Sequence, residues 1–199
     1  MSLRKFQVSA PGKIILHGEH SVVYNKAAIA GPISLRTYFN FEETSGDIIT
    51  LQYERLNLTA TLKISKANAL LADLDCNDSL QPMEIRSSKN FIINYLDFED
   101  AEERKLSDKE EMAVCATLYI FNRILRAENI KSIAGGFIVK IDSDMSIGAG
   151  VGSSASYGVC LAGGFYAYSQ ILNKQFDDNF PFNDPSVLER ISQWAFDSE

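Results

Sequence analysis

The sequence predicts a fold that combines β-strands with α-helices, and three observations support this. Residues 48–64 alternate between apolar and polar side chains, as half-buried strands do. Residues 107–125 carry apolar side chains at helical spacing. A glycine-rich stretch over residues 143–152 separates a further apolar strand from another helical segment. The order is strands first, then helix, strand, loop and helix, and many folds satisfy it.

Four strands are expected in the first third of the chain. Residues 6–9 form a short strand, which Ala10-Pro11-Gly12 interrupts and residues 13–16 resume. Residues 33–41 alternate loosely, and residues 48–64 read as two strands with a turn near Glu54-Arg55. The apolar sets of these last two strands are Ile49, Leu51 and Tyr53 on one face, and Leu56, Leu58, Ala60, Leu62 and Ile64 on another.

Helical patterns dominate the second half. Residues 66–106 show no clear pattern, and the charge-dense residues 97–105 are expected to be a solvated loop or helix face. Ser107 and Glu110 then match a capping box, in which each side chain satisfies the other's exposed backbone amide. The residues expected to turn this helix towards the core are Met112, Cys115, Leu118, Tyr119 and Leu125. A strand over residues 136–141 and a helix over residues 154–172 follow.

The last helix is expected to begin with Asp184 as N-cap and Pro185 at the first position. Its predicted apolar stripe is Leu188, Ile191, Trp194 and Ala195. The sequence stops at Glu199 inside this helical pattern, with no glycine cap and no polar tail. We therefore expect the chain to be truncated.

Composition excludes several classes of function. The chain has 199 residues, 46% of them hydrophobic, with a net charge of −7, which is unsuited to a general nucleic-acid binder. No stretch approaches the roughly 20 apolar residues that span a bilayer.

Cys76, Cys115 and Cys160 lie far apart, and no CxxC spacing accompanies the two histidines. A zinc site or disulfide framework is not expected, and a reducing, cytoplasmic location fits best.

The most informative segment is a glycine-rich loop between a strand and a helix. Alternating glycines allow close backbone approach to a ligand, and the helix start adds partial positive charge that attracts anions. Two hydroxyls at the helix start suit a phosphate and a magnesium ion. The loop residues are Gly148, Ala149, Gly150, Val151, Gly152, Ser153 and Ser154. The spacing does not match a Walker A loop, a dinucleotide fingerprint or a protein kinase. Taken alone, the loop could also be a structural turn.

A second segment, residues 11–20, places Lys13 directly after a proline-glycine turn. A compact ammonium there can neutralise a transferring phosphate or lower the pKa of an attacking hydroxyl. The alternative for Lys13 alone is an ordinary surface lysine. His20 in the same segment can hydrogen-bond an alcohol or a carboxylate.

Together the two segments resemble signature motifs of the GHMP small-molecule kinases. Residues 8–23, which include the run from Pro11 to His20, resemble the mevalonate kinase version in particular. Further similarity lies in Leu35-Arg36-Thr37, in residues 154–162 and in residues 191–196. The resemblance extends over the chain in patches and is weakest over residues 66–106.

The resemblance implies an α+β fold, the GHMP kinase N-terminal domain of the ribosomal protein S5 domain 2 type, with a mixed or antiparallel sheet packed on helices. Residues 1–199 would form this ATP-binding domain, and the family's C-terminal domain would be absent. By position, Lys13 matches the active-site lysine, His20 a mevalonate contact, Ser143 a nucleotide contact, and Gly148 to Ser154 the ATP phosphate loop. Ser154 and Glu199 match the two magnesium ligands, and Mg2+ suits a site of few protein oxygens plus phosphates.

The implied function is ATP- and Mg-dependent phosphorylation of the primary alcohol of mevalonate, in the synthesis of isoprenoid and sterol precursors. The family's general-base aspartate lies just beyond Glu199, so this piece alone is expected to have little or no activity. Two alternatives stay open: a non-catalytic short form that binds nucleotide, and a sibling GHMP kinase for another small alcohol. The expected partners are ATP and mevalonate, with neither nucleic acid nor membrane, and a homodimer, as is frequent in the family.

Overall fold

The computed structural model describes residues 3–20, 22–75, 93, 95–98, 106–146, 150–174 and 182–197. Its strands are β1 (Lys5–His17), β2 (Ile29–Glu43), β3 (Ile48–Tyr53), β4 (Leu58–Lys63), β5 (Asp97–Phe98) and β6 (Phe137–Ser143). Its α-helices with described bounds are α1 (Ile64–Asp75), α2 (Asp108–Ala127), α3 (Ser153–Leu172) and α4 (Pro185–Phe196).

The strands form one six-stranded sheet in the order β1-β2-β6-β3-β4-β5. Among the described strands, four of the five pairs are antiparallel, and β3 and β6 run parallel. Helices α1, α2 and α3 pack against this sheet and α4 packs on α3, and the chain order of strands and helices matches an α+β domain. The expectation of a mixed sheet packed on helices is therefore confirmed.

The two strands expected over residues 48–64 form the β3–β4 hairpin. A single 3₁₀ turn, Glu54–Leu56, joins them at the predicted place. Ile49 stands opposite Leu62, and Leu51 stands opposite Ala60. Opposed residues of paired strands point to the same side of a sheet. The two apolar sets therefore cover one common buried face.

The expected break in the first strand takes a different form. β1 continues from Lys5 to His17, but its pairing with β2 shifts register between Pro11 and Lys13. A local irregularity of this kind re-aims the side chains that follow it. Lys13 lies directly after the shift, so the Pro-Gly sequence bends the strand where the candidate site begins.

The core lies between the sheet and the α2–α3 pair, and aromatic rings fill much of it. The ring of Phe39 on β2 meets that of Phe165 on α3 edge to face, with centroids 5.0 Å apart. Phe121 on α2 lies at the same centroid distance from Phe165. Cys115 and Cys160 are buried in this core as thiols, which pack there as small hydrophobic residues.

Helix α2 begins as predicted, with Ser107 as N-cap and a complete capping box. The Ser107 amide donates to Glu110 Oε2 over 2.8 Å, and Ser107 Oγ accepts from the Glu110 amide over 3.4 Å. The prediction of the buried stripe is wrong for one residue. Met112 is 60% exposed, because the helix turns that side away from the sheet. The other four predicted residues, Cys115, Leu118, Tyr119 and Leu125, are buried.

Replacing Ser107 with alanine is expected to destabilise the protein by about 1 kcal/mol, the usual cost of losing an N-cap side chain. The midpoint of thermal unfolding should fall by about 2–4 °C for a domain of this size. Ser107→Asp supplies another oxygen acceptor and should keep most of the stability. Equal midpoints for wild type and Ser107→Ala would contradict a stabilising cap.

Helix α4 also begins as predicted, with Asp184 as N-cap and Pro185 at its first position. Asp184 Oδ1 accepts hydrogen bonds from the Ser186 amide (2.9 Å) and the Ser186 hydroxyl (2.8 Å). The predicted stripe is wrong at Leu188, which is 48% exposed. Val187 is buried instead, together with Ile191, Trp194 and Ala195. The stripe through which α4 meets α3 therefore differs from the predicted one only at its first residue.

The cap of α4 makes stability depend on pH. The hydrogen bonds from the Ser186 hydroxyl and amide lower the pKa of Asp184 below its ordinary value. A carboxylate with a lowered folded-state pKa stabilises the protein above its unfolded-state pKa, and this contribution is lost as pH falls through the folded-state value. We expect wild type to be more stable than Asp184→Asn at pH 7 and the gap to narrow as the pH falls below about 4. Thermal unfolding of both proteins across this range tests it, and a constant gap would contradict it.

The remaining sequence expectations fall partly outside the described residues. The expectation of a solvated loop or helix face over residues 97–105 is wrong at Asp97–Phe98, which form β5 and pair with β4. Residues 99–105 lie outside the described residues. In the part of the chain that the structure describes, no helix is both long enough and apolar enough to cross a lipid bilayer.

Candidate functional site

The structure brings Lys13 and the end of the glycine-rich loop into direct contact. The Lys13 amide donates a hydrogen bond to the Val151 carbonyl over 2.9 Å. A β-carbon added to Gly152 would lie 2.5 Å from Lys13 Cγ and 3.2 Å from Lys13 N. The aliphatic stem of the lysine therefore lies against the bare backbone of Gly152. Two segments almost 140 residues apart in the sequence meet at this point.

Gly152 is the N-cap of α3 and has a left-handed backbone, with φ of 69°. Its carbonyl accepts the first helical hydrogen bond, from the Ser156 amide over 3.0 Å. The first amides of a helix have no acceptor within the helix, and a glycine N-cap has no side chain to cover them. The start of α3, which carries Ser153 and Ser154, therefore has the chemistry that attracts a phosphate.

Gly12 lies in close contact with the end of the glycine-rich loop. A β-carbon at this position would lie 2.7 Å from the Val151 carbonyl oxygen and 2.5 Å from Met145 Sδ. Met145 is 1% exposed and fills the space under the loop. The lack of a side chain at Gly12 thus lets β1 pass close enough to hold the loop through backbone contacts.

Ser143, at the end of β6, has its hydroxyl engaged within the protein. Ser143 Oγ lies 3.2 Å from Thr37 Oγ1 and accepts a hydrogen bond from the Met145 amide over 3.2 Å. Its carbonyl accepts a hydrogen bond from Arg55 Nε over 2.6 Å. The structure therefore places Ser143 at the base of the loop, where it orders the backbone that leads to Met145.

Asp144 fastens the same backbone to β2. Its carboxylate accepts hydrogen bonds from the Arg36 amide (3.2 Å) and the Tyr38 hydroxyl (2.9 Å), and its own amide donates to the Arg36 carbonyl over 2.8 Å. The hydrogen bond to Asp144 raises the pKa of Tyr38 and so keeps the phenol protonated as a donor. Both ends of the loop are thus anchored, one to β2 and the other to β1.

The other candidate residues have different outcomes. His20 lies exposed in the turn that follows β1, and no hydrogen bond joins it to the Lys13–Gly152 contact in the described part of the chain. Lys13 and Ser154 are both exposed at the site. Gly148, Ala149 and Glu199 lie outside the described residues, so their predicted roles stay predictions.

Three buried residues of the site were not singled out from the sequence: Thr37, Met145 and Ser156. Thr37 and Ser156 belong to stretches that resemble the kinase family, but nothing in their local pattern distinguishes them from exposed polar residues. Met145 reads as an ordinary loop residue. Their importance comes from long-range contacts, which local spacing does not reveal.

Comparison with known proteins supports the resemblance. Mevalonate kinase of Homo sapiens is 31% identical over 195 residues, which cover 96% of this chain and 47% of that enzyme. Mevalonate kinase of Dictyostelium discoideum is 34% identical over 160 residues, covering 79% of this chain and 36% of that enzyme. The chain thus spans about half, or less, of the length of these curated relatives. No protein-family model matches the chain.

Solved structures support the fold. The crystal structure of the Methanococcus jannaschii mevalonate kinase superposes with a TM-score of 0.63 at 24% identity, covering 98% of this chain and 46% of that one. A D-glycero-D-manno-heptose 1-phosphate kinase gives a TM-score of 0.55 at 16% identity, covering 100% of this chain and 48% of the other. These likenesses concern the fold, and they confirm the expected GHMP kinase N-terminal architecture.

Proposed function

From the similarity of this chain to mevalonate kinases along almost its whole length, we propose that it is the ATP-binding portion of an enzyme that phosphorylates mevalonate. Residues 1–199 would supply the nucleotide site, in an enzyme of isoprenoid and sterol precursor synthesis. The observation that carries this proposal is the contact of the Lys13 stem with Gly152 at the start of α3. The stem of Lys13 lies against the start of a helix, and a cation beside a helix N-terminus favours the binding of a triphosphate.

Each part of the site has a role in this proposal. The backbone amides of residues 148–154 bind the ATP phosphates, and the Lys13 ammonium stabilises charge on the transferring phosphoryl group. Ser143 orders the start of the loop and contacts the nucleotide. His20 contacts the mevalonate. The substrate's primary hydroxyl attacks the γ-phosphate in line, and its proton goes to a base that the 199 residues do not supply.

Magnesium fits the donors that this region offers. Ser154 is exposed in the first turn of α3 and presents a hydroxyl oxygen, the hard donor type that Mg2+ prefers. We propose that Ser154 and Glu199 hold the ion. When bound, it would neutralise phosphate charge, while positioning of the nucleotide stays with the loop and Lys13. A cytoplasmic location and a homodimer also belong to this proposal.

Calorimetric titration of the purified chain with Mg·ATP, together with a kinase assay on the same sample, tests the proposal. We expect saturable binding but little or no phosphorylation of mevalonate, because the proposal places the general base outside residues 1–199. Failure to bind Mg·ATP would contradict a nucleotide site. Turnover at the rate of a full-length enzyme would contradict the need for a base outside these residues.

Two alternative functions can be distinguished from this proposal. If the protein is a non-catalytic nucleotide-binding form, a chain proven to be the natural product will bind Mg·ATP and will not phosphorylate mevalonate. A sibling kinase would show a different substrate preference. A panel of small alcohols, assayed with the natural protein that contains this chain, separates that reading from mevalonate phosphorylation.

A further inference from the structure

Buried hydroxyls connect the two sides of the candidate site. Ser156 Oγ donates a hydrogen bond to the Ala10 carbonyl over 2.8 Å and lies 3.0 Å from Thr37 Oγ1. Thr37 Oγ1 in turn lies 3.2 Å from Ser143 Oγ, at the base of the loop. Thr37 is 1% exposed and Ser156 is 3% exposed. These side chains therefore do not contact bulk water, and their polar groups are satisfied within the protein.

These hydrogen-bonded hydroxyls link the strand that carries Lys13 to the first turn of α3. Ala10 lies on β1 shortly before Lys13, and Ser156 lies in the first turn of α3 shortly after Ser154. The Ser156–Ala10 hydrogen bond thus ties the strand that carries the cation to the helix that carries the phosphate-binding amides. Thr37 lies on β2, the strand between β1 and β6. Its contact with Ser156 therefore also links the start of α3 to β2.

We propose that the hydroxyls of Thr37 and Ser156 are positioning groups, which set the distance and orientation of Lys13 relative to the N-terminus of α3. The effect on ligand binding rests on the proposed nucleotide-binding function, whereas the effect on geometry does not. Neither side chain is exposed, so neither would contact the nucleotide. Each acts through the residues that do.

Positioning has a large effect in such a site, because a displacement of about 1 Å by a mutation far from the chemistry can cost about 100-fold in rate. An apolar residue in place of either hydroxyl would still fill the core. It would, however, remove the directional contact that fixes the helix on the strand.

The fold itself should survive the loss of one hydroxyl. Cys160, one helical turn beyond Ser156, also bridges α3 to the sheet. Its Sγ donates to the Thr37 carbonyl over 3.3 Å and to the Val8 carbonyl over 3.5 Å. The helix would therefore remain on the sheet, with its first turn less well fixed.

The test compares Ser156→Ala and Thr37→Val with two control proteins. Ser169→Ala is a matched control: Ser169 is 0% exposed on the same helix, and its Oγ donates to the Tyr166 carbonyl over 2.7 Å. It lies about 20 Å along the helix from Ser156, given a rise of 1.5 Å per residue. Thr37→Ser keeps the hydroxyl and should restore the properties of wild type.

Two measurements are made on each protein. The first is the backbone amide NMR spectrum without ligand, in which Ser156→Ala and Thr37→Val should shift the signals of Lys13, Gly152 and Ser154. The second is the dissociation constant for Mg·ATP, which should rise about tenfold, corresponding to one lost hydrogen bond. Ser169→Ala should lower thermal stability to a similar extent and leave both measurements unchanged.

The outcomes are distinguishable. If the amide signals of Lys13, Gly152 and Ser154 are the same in Ser156→Ala, Thr37→Val and wild type, the positioning role is overturned whatever the nucleotide does. The same conclusion follows if Ser169→Ala shifts them equally. If these signals move as expected but wild type does not bind Mg·ATP, the proposed function fails and the positioning role stands.

Discussion

Replacing Gly152 with alanine is expected to weaken Mg·ATP binding by about 100-fold, the scale of loss that misplaced binding groups produce. The left-handed backbone of Gly152 costs an L-residue about 1–2 kcal/mol. The added β-carbon would also meet Lys13 Cγ at 2.5 Å and the Lys13 amide nitrogen at 3.2 Å. Cγ lies close to the Lys13 backbone rather than at the flexible end of the side chain, so the loop and the lysine must separate. Calorimetric titration with Mg·ATP measures the loss.

Alanine substitutions at two other glycines separate the effect of backbone strain from the effect of the clash with Lys13. Gly150 has a φ of 71°, but nothing lies within 4 Å of an added β-carbon. Gly150→Ala therefore carries strain without a clash and should lose clearly less affinity than Gly152→Ala. Gly135 has neither a positive φ nor a neighbour within 4 Å, and Gly135→Ala should bind as wild type does. Wild-type affinity in Gly152→Ala would contradict the close approach of Lys13.

Replacing Lys13 with methionine is expected to weaken Mg·ATP binding by about 10- to 150-fold, because a hydrogen bond to a charged group contributes about 1.5–3 kcal/mol. Methionine keeps an unbranched stem that can lie against Gly152, so the change removes mainly the ammonium. The salt dependence of binding should also decrease, since one phosphate contact with a cation is lost. Titrations at two salt concentrations measure both effects.

Lys26→Met is the control for this prediction, since Lys26 is likewise exposed but lies in the loop before β2. It changes the net charge by the same amount and should leave the affinity unchanged. Equal losses in the two variants would mean that Lys13 acts only through the overall charge. No loss in Lys13→Met would remove the lysine from the nucleotide site.

Helix caps and hairpins depend on residues that lie close together in the sequence, and these features could be predicted. The caps at Ser107 and Asp184 depend on side chains within three residues of the helix start, and both are present as expected. The β3–β4 hairpin likewise depends on adjacent alternating segments. The errors at Met112 and Leu188 concern which side of a helix faces the core. Helical spacing fixes the stripe only to within one residue, whereas burial depends on what packs against it.

Long-range pairings could not be obtained from local patterns. The parallel pairing of β3 with β6 joins residues far apart in the chain, with Ile49 beside Phe137. The Thr37–Ser156 contact spans 119 residues. The approach of Lys13 to the glycine-rich loop was expected from the chemistry that both segments share, and the structure shows it. The network that holds them together became visible only with the fold.

An NMR titration of the chain with Mg·ATP that follows the backbone amides tests the nucleotide site directly. We expect saturable shifts concentrated at Lys13 and residues 150–154, with weaker effects at Ser143 and little change at the far end of α3. Shifts that saturate at another surface, with Lys13 and the start of α3 unaffected, would contradict it.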